Sequence, residues 1–210
     1  WKNGKYADAE KSYDEALQVF PKYHLATAGK GRARGSQNDL ESALDLLNEA
    51  NSKVPSVEVS ILLGDIHTKL GNGEKAKHFY ELVELIEGKA TLNDDQKRMA
   101  VLWADHDRNP EQALAITTRE RELRKDIFTN DAYAWTLYKN GRLTDAKAAI
   151  TKALNPKAND ARIIYHAGMI EKDLGNQNEA KRLLETALKI NPMFDLLQSE
   201  NARRALAELN

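Results

Sequence analysis

The stretch GKYADAEKSYDEALQVFP, residues 4–21, returns near the other end of the chain as GNQNEAKRLLETALKINP, residues 175–192. In both copies Ala follows the Gly by five residues (Ala9, Ala180), a second Ala comes seven later (Ala16, Ala187), and Pro closes the stretch (Pro21, Pro192). The first of these alanines has counterparts at Ala43, Ala76, Ala113 and Ala146, and successive markers lie 34, 33, 37, 33 and 34 residues apart. A unit this short cannot bury its own apolar face. A period of roughly 20–50 residues therefore requires that neighbouring units stack, which constrains the fold more than any local propensity.

Composition says what the units are made of. Charged residues reach 30 %, while the chain holds only 11 Gly and 5 Pro, and Ala, Leu, Glu and Lys dominate. That is the composition of helices, and an all-α protein is expected. Lys and Arg (31) nearly balance Asp and Glu (32), so there is no global pull toward nucleic acid or an anionic membrane. No cysteine is present, which excludes disulfides, thiolate catalysis and cysteine-based zinc sites. No apolar run approaches the roughly 18 residues of a membrane span, so no insertion by this segment is expected.

Each unit reads as two helices, A and B. Small residues recur where the two would cross, allowing their axes to approach to about 8–10 Å. Gly71, Gly141 and Gly175 fall at the ends of A helices, where a positive φ is wanted, and Pro21, Pro55 and Pro192 close B helices. Leu40, Leu44, Leu47, Leu183, Leu184 and Leu188 fall at helical spacing and are expected in the core.

These residues resemble the tetratricopeptide repeat family, in the form of bacterial scaffold proteins. The match runs through Gly31, Ala43, Leu47, Ala50 and Pro55, then Leu63-Gly64, Gly71, Ala76 and Tyr80. It continues through Ala134, Gly141, Ala146, Ile150 and Ala153, and ends with Ala167-Gly168, Gly175, Ala180, Leu184, Ala187 and Pro192. The poorest copy, around Ala113, carries Val101, Thr117 and Glu120 where Gly, an aromatic and Ala are usual. The resemblance implies a right-handed α-solenoid of antiparallel helix pairs, a single array over 1–210. It comprises a partial repeat (1–23), repeats at 24–56, 57–90, 91–126, 127–160 and 161–193, and a C-terminal capping helix (194–210).

The resemblance also implies a non-enzymatic scaffold that binds a peptide or protein segment on the A-helix face, at the second, fifth, ninth, twelfth and thirteenth positions of each A helix. In the first repeats these are Arg32, Ser36, Glu58, Ile61, Asp65, Thr68 and Lys69. In the poorest they are Asp95, Arg98, Leu102, Asp105 and His106. The last two repeats supply Phe128, Asp131, Trp135, Tyr138 and Lys139, then Arg162, Tyr165, Met169, Lys172 and Asp173. Aromatic side chains and Met interleaved with Lys and Arg have the make-up of an interface hot spot. The groove is expected at Arg98, Phe128, Asp131, Trp135, Tyr138, Lys139, Arg162, Tyr165 and Met169. A rotation of one residue would instead send Trp135 and Tyr138 into the core between repeats. The opening on Trp1, read as the end of a helix, favours a second possibility: a regulatory or dimerisation segment of a larger multidomain protein.

Catalytic patterns are not found. The histidines (24, 67, 78, 106, 166) lack paired ligand spacing, although His67 could meet His78 across a hairpin and ADHDR concentrates Asp105, His106 and Asp107. GKGRARG, residues 29–35, resembles a phosphate loop in isolation, but in register it is helical and no strand precedes it. RERELRK, residues 119–125, reads as a solvated helix surface. No enzyme, metal or cofactor is expected.

Overall fold

The computed structural model describes residues 1–87, 96–154 and 159–209. Asp95 and the repeat boundary expected at residues 90 and 91 lie outside them. Among the described residues all regular structure is helical. The helices are α1 (Tyr6–Val19), α2 (His24–Ser36), α3 (Leu40–Lys53), α4 (Val57–Lys69), α5 (Gly73–Glu87) and α6 (Lys97–Asp105). They continue with α7 (Pro110–Leu123), α8 (Ile127–Lys139), α9 (Leu143–Ala153), α10 (Ala161–Asp173), α11 (Gln177–Ile190) and α12 (Gln198–Glu208).

The chain forms two compact units. The first comprises residues 1–89 together with the tripeptide Asp195–Leu197; the second comprises residues 90–194 and 198–210. Within each, consecutive helices pack as pairs: α2 with α3 and α4 with α5 in the first, α6 with α7, α8 with α9 and α10 with α11 in the second. The turns inside a pair are only three or four residues long, so its members run antiparallel. In the second unit α12 covers α10 and α11, the place of a cap.

Local chemistry sets the helix boundaries. Every A helix ends the same way: its last turn is closed by a residue of positive φ, and the next amide reaches back five residues. The pattern is Gly141 at φ 72° followed by Arg142 N donating to Leu137 O at 3.0 Å. Gly71 and Gly175 repeat it, and Asn38 (φ 64°) and Asp107 (φ 53°) stand where the other two A helices would have glycine. Asn and Asp tolerate this region better than other side chains, so the turn survives without Gly. B helices stop at Val19, Lys53 and Ile190, each two residues before a proline. Side chains cap the starts: Asp39, Ser56, Asp126 and Asp160 each accept from a first-turn amide.

Five of the six marker alanines lie where the pattern puts them, and Ala9 of the partial repeat is half-buried. Ala43, Ala76, Ala113, Ala146 and Ala180 are all buried. The eighth residue of an A helix faces the twenty-fourth residue of the repeat, and the fit is tight. A Cβ added to Gly64 would lie 2.3 Å from Tyr80 Cε1, and one added to Gly168 would lie 2.8 Å from Leu184 Cγ. Only hydrogen fits there. In the poorest repeat the equivalent residues are Val101 and Thr117, so the larger residue at the eighth position is accompanied by a smaller one at the twenty-fourth. Thr117 is fully buried and its hydroxyl meets Thr136 Oγ1 at 2.6 Å. Glu120, where Ala is usual, is buried with its carboxylate on Arg124.

Candidate peptide-binding face

In the second unit, α6, α8 and α10 bring most of the expected groove residues together. Two carboxylates set the starts of α8 and α10. Asp126 Oδ1 accepts from Phe128 N and Thr129 N, both at 3.0 Å, and its Oδ2 accepts from Thr129 Oγ1 at 2.7 Å. Burial works against the Asp126 charge, yet the bonds from Thr129, together with Lys97 and Phe128 N, hold its carboxyl below the usual range. Asp160 caps α10 in the same manner, through Arg162 N at 3.0 Å.

The centre of the face is Asp105, the last residue of α6. Its Oδ1 accepts from Trp135 Nε1 at 2.9 Å and its Oδ2 from an Arg162 guanidinium nitrogen at 2.8 Å. Its backbone oxygen accepts from Gln198 Nε2 at 3.0 Å, while Gln198 Oε1 accepts from the Tyr165 hydroxyl at 2.8 Å. One residue thus ties together α6, α8, α10 and α12. Charge-assisted hydrogen bonds of this kind are the stronger ones, and they lock rotamers as well as stabilise.

Around that anchor the rings stack. Trp135 lies between Tyr138 (4.8 Å, 13°) and His166 (4.1 Å, 12°), and Lys139 Nζ sits 5.0 Å from its ring centre. His166 Nδ1 is 2.8 Å from Asp131 Oδ1, and Tyr165 packs 5.2 Å from Phe194. Tyr138 donates to Asp173 at 2.7 Å, and Lys139 reaches Asp107 at 2.7 Å. Burial, then the bond to Asp173, pushes the Tyr138 phenol well above its ordinary pKa.

The expected residues divide by exposure. Trp135 and Tyr165 are each 1 % exposed and Asp131 is buried with them, so these three form a floor beneath the surface. For Trp135 this is the burial that the rotated alternative required, while Tyr138 remains half-buried at the edge. Tyr138, Lys139, Arg162 and Met169 are part-exposed above the floor, and Phe128 (49 %) and Arg98 are exposed beyond it. The interactions above do not link Phe128, Met169 or Arg98 to the stack.

Asp105 stood among the A-helix face positions but not in the expected groove, and two contributors were not foreseen: His166 as the second face of the stack and Gln198 from the cap. The available signal was distance along the chain. Asp105–Trp135, Asp131–His166 and Tyr138–Asp173 are 30, 35 and 35 residues apart, close to one repeat. In the first unit Trp1 Nε1 meets Ser36 Oγ at 2.6 Å, again 35 residues away. A polar residue one period from an aromatic is thus a recognisable pattern. His67 stacks on Phe79 (5.7 Å, 11°) instead of meeting His78, residues 29–35 lie within α2, and the described residues contain no cluster of three or more potential metal ligands.

Two sequence profiles of the tetratricopeptide repeat match the chain, one over residues 1–58 and the other over 57–88 and 161–192, more than half of it in total. The chain belongs to the tetratricopeptide repeat family. Its fold is similar to that of a tetratricopeptide repeat protein from Parabacteroides merdae, with TM-score 0.62, 18 % identity and coverage of 98 % of this chain and 78 % of the other. It is also similar to a chain of the Cut9–Hcn1 hetero-tetramer of the APC/C (TM-score 0.56, 17 % identity, 96 % and 40 % covered). Yeast Tom70 has the same fold too (TM-score 0.53, 15 % identity, 95 % and 43 % covered). The chain therefore spans less than half the length of the latter two. No curated protein matches the sequence. Tetratricopeptide repeats are in general non-enzymatic modules that bind protein or peptide partners. Among the described residues, no helix is long and apolar enough to cross a membrane.

Proposed function

We propose that this scaffold, read as one array of repeats over residues 1–210, holds a peptide or protein segment against the A-helix face of α8 and α10. It does so without catalysis, cofactor or nucleic acid. The contact set is Arg98, Phe128, Tyr138, Lys139, Arg162 and Met169, with Asp131, Trp135 and Tyr165 as its support.

The observation that carries this reading is the Asp105 anchor. It fixes Trp135 and Arg162 at once, so the aromatic and cationic groups at the edge of the stack are held in place before any partner arrives. Pre-organised aromatic and cationic side chains lose little entropy on binding, which is what gives a hot spot its affinity. The cations suit acidic or carbonyl groups of a partner, and the ring faces and Met169 suit apolar ones.

A pull-down with the intact protein supplies the partner. Tyr138→Ala and Lys139→Glu should then each weaken binding about tenfold or more, equivalent to about 1.4 kcal/mol, with helicity by circular dichroism unchanged. Wild-type affinity in both variants would show that the face lies elsewhere.

A further inference from the structure

The first unit includes three residues from far along the chain, and they sit as a bound peptide would. Asp195–Leu197 are non-helical residues just before α12. Leu196 is buried, 4 % exposed, over Gly35 of α2 and beside Ile66 of α4. A Cβ added to Gly35 would lie 3.5 Å from Leu196 Cδ2, 3.6 Å from Ala43 Cβ and 3.8 Å from Ile66 Cδ1, all ordinary contact distances, so the leucine packs over the α2 backbone at Gly35. Lys69 Nζ donates to the Leu196 carbonyl at 3.4 Å. Asp195 folds its carboxylate back onto Leu197 N at 2.9 Å, and its charge helps to raise the Tyr80 phenol, after burial and Asp65.

We infer that the α2–α4 face is a second peptide site, one that takes a short non-helical segment with an acidic residue followed by leucine, and that the chain's own Asp195–Leu197 occupies it. Two features favour a peptide seat over ordinary core. The segment is held through a main-chain carbonyl, a contact any peptide can offer, and its specificity rests on one leucine seated over Gly35. The residues holding it, Gly35, Ile66 and Lys69, come from two different repeats, as an interface across A helices requires. A partner carrying the same acidic-leucine pair competes with the internal segment, and binding there requires that the segment leave. The site stands whether or not the α8–α10 face binds anything.

The probe is a fluorescein-labelled peptide of residues 193–199, MFDLLQS, titrated with the full chain and read by fluorescence anisotropy. A Leu196→Ala chain, whose own segment no longer covers the Gly35 seat, should bind the peptide at least tenfold more tightly than wild type. Adding Lys69→Glu to that variant, or using the peptide MFDALQS, should abolish the gain. Equal binding to wild type and Leu196→Ala, or equal binding of the two peptides, overturns the inference. Should Leu196→Ala fail to fold by circular dichroism, hydrogen–deuterium exchange on the wild-type chain decides the matter. Millimolar MFDLLQS should accelerate exchange in residues 193–199 several-fold, and unchanged exchange overturns the inference.

Discussion

The A-helix faces of the two units are built from opposite materials. In the second, α8 and α10 present large rings, and those rings pack on one another around Asp105. In the first, α2 and α4 present Gly35, Ser36 and Thr68, and apolar volume is added from other segments: Leu196 packs over Gly35 and the Trp1 indole donates to Ser36. The helix-pair frame is shared, so the difference lies in where the apolar volume of each face originates. A face filled by its own side chains gains stability and rigidity. One floored by small residues gains relief that another segment can fill.

Removal of a ring should separate the two faces most. Trp135→Ala should cost about 3–5 kcal/mol by urea denaturation, as deletion of a fully buried aromatic does. Thr68→Ala on the first face, which removes an exposed hydroxyl bonded to Tyr80 at 3.0 Å, should stay within about 1 kcal/mol of wild type. Similar losses at the two positions would mean that the faces do not differ in this way.

Asp105→Ala should cost about 1–3 kcal/mol, because it leaves the Trp135 indole and the Arg162 guanidinium without their acceptor. A double-mutant cycle with Arg162→Ala measures the coupling, and strict additivity would remove Asp105 from the centre of the face.

The helix caps of the two units differ in charge and therefore in their response to pH. Asp126 caps α8 with a charge, whereas Ser56 caps α4 with a neutral hydroxyl. Asp126→Ala and Ser56→Ala should each cost about 1 kcal/mol at pH 7. The Asp126 carboxyl is depressed in the folded chain, so its contribution is complete above the ordinary aspartate pKa of about 3.9 and is lost as pH falls through the lower folded value. The stability gap between wild type and Asp126→Ala should therefore shrink at low pH, while the Ser56→Ala gap should not change from this cause. Paired thermal melts between pH 7 and 2.5 provide the check.

The smallest effect tests what the units share. Tyr138→Phe removes the bond to Asp173, and Ser36→Ala removes the equivalent bond from Trp1. Each should cost about 0.5–1 kcal/mol by chemical denaturation. A larger loss in only one would show that this repeat-to-repeat bond has become specialised there.

Period and turn chemistry were legible because both are local. The spacing of Ala43, Ala76, Ala113, Ala146 and Ala180 placed each crossing, and Gly71, Gly141 and Gly175 each closed an A helix at positive φ. Asn38 and Asp107 perform the same task, but their side chains are common in loops and on surfaces, so neither stood out. The candidate face was legible only as a set of positions. Which members lie beneath the surface depends on helix rotation of a few tens of degrees, and the pattern does not resolve that for Trp135 or Tyr165. Leu196 and the Gln198–Asp105 bond were hidden for another reason: they join residues more than two repeats apart along the chain.

The pairing of a minimal eighth residue with a bulky twenty-fourth carries an evolutionary corollary. Gly64 with Tyr80, Gly168 with Leu184 and, at the equivalent positions, Val101 with Thr117 trade bulk between two helices. Neither member can drift alone without a clash or a void, so neutral change at these sites must arrive in couples. A chain crippled by Gly168→Ala should be restored by trimming Leu184, a suppressor that a random library could deliver.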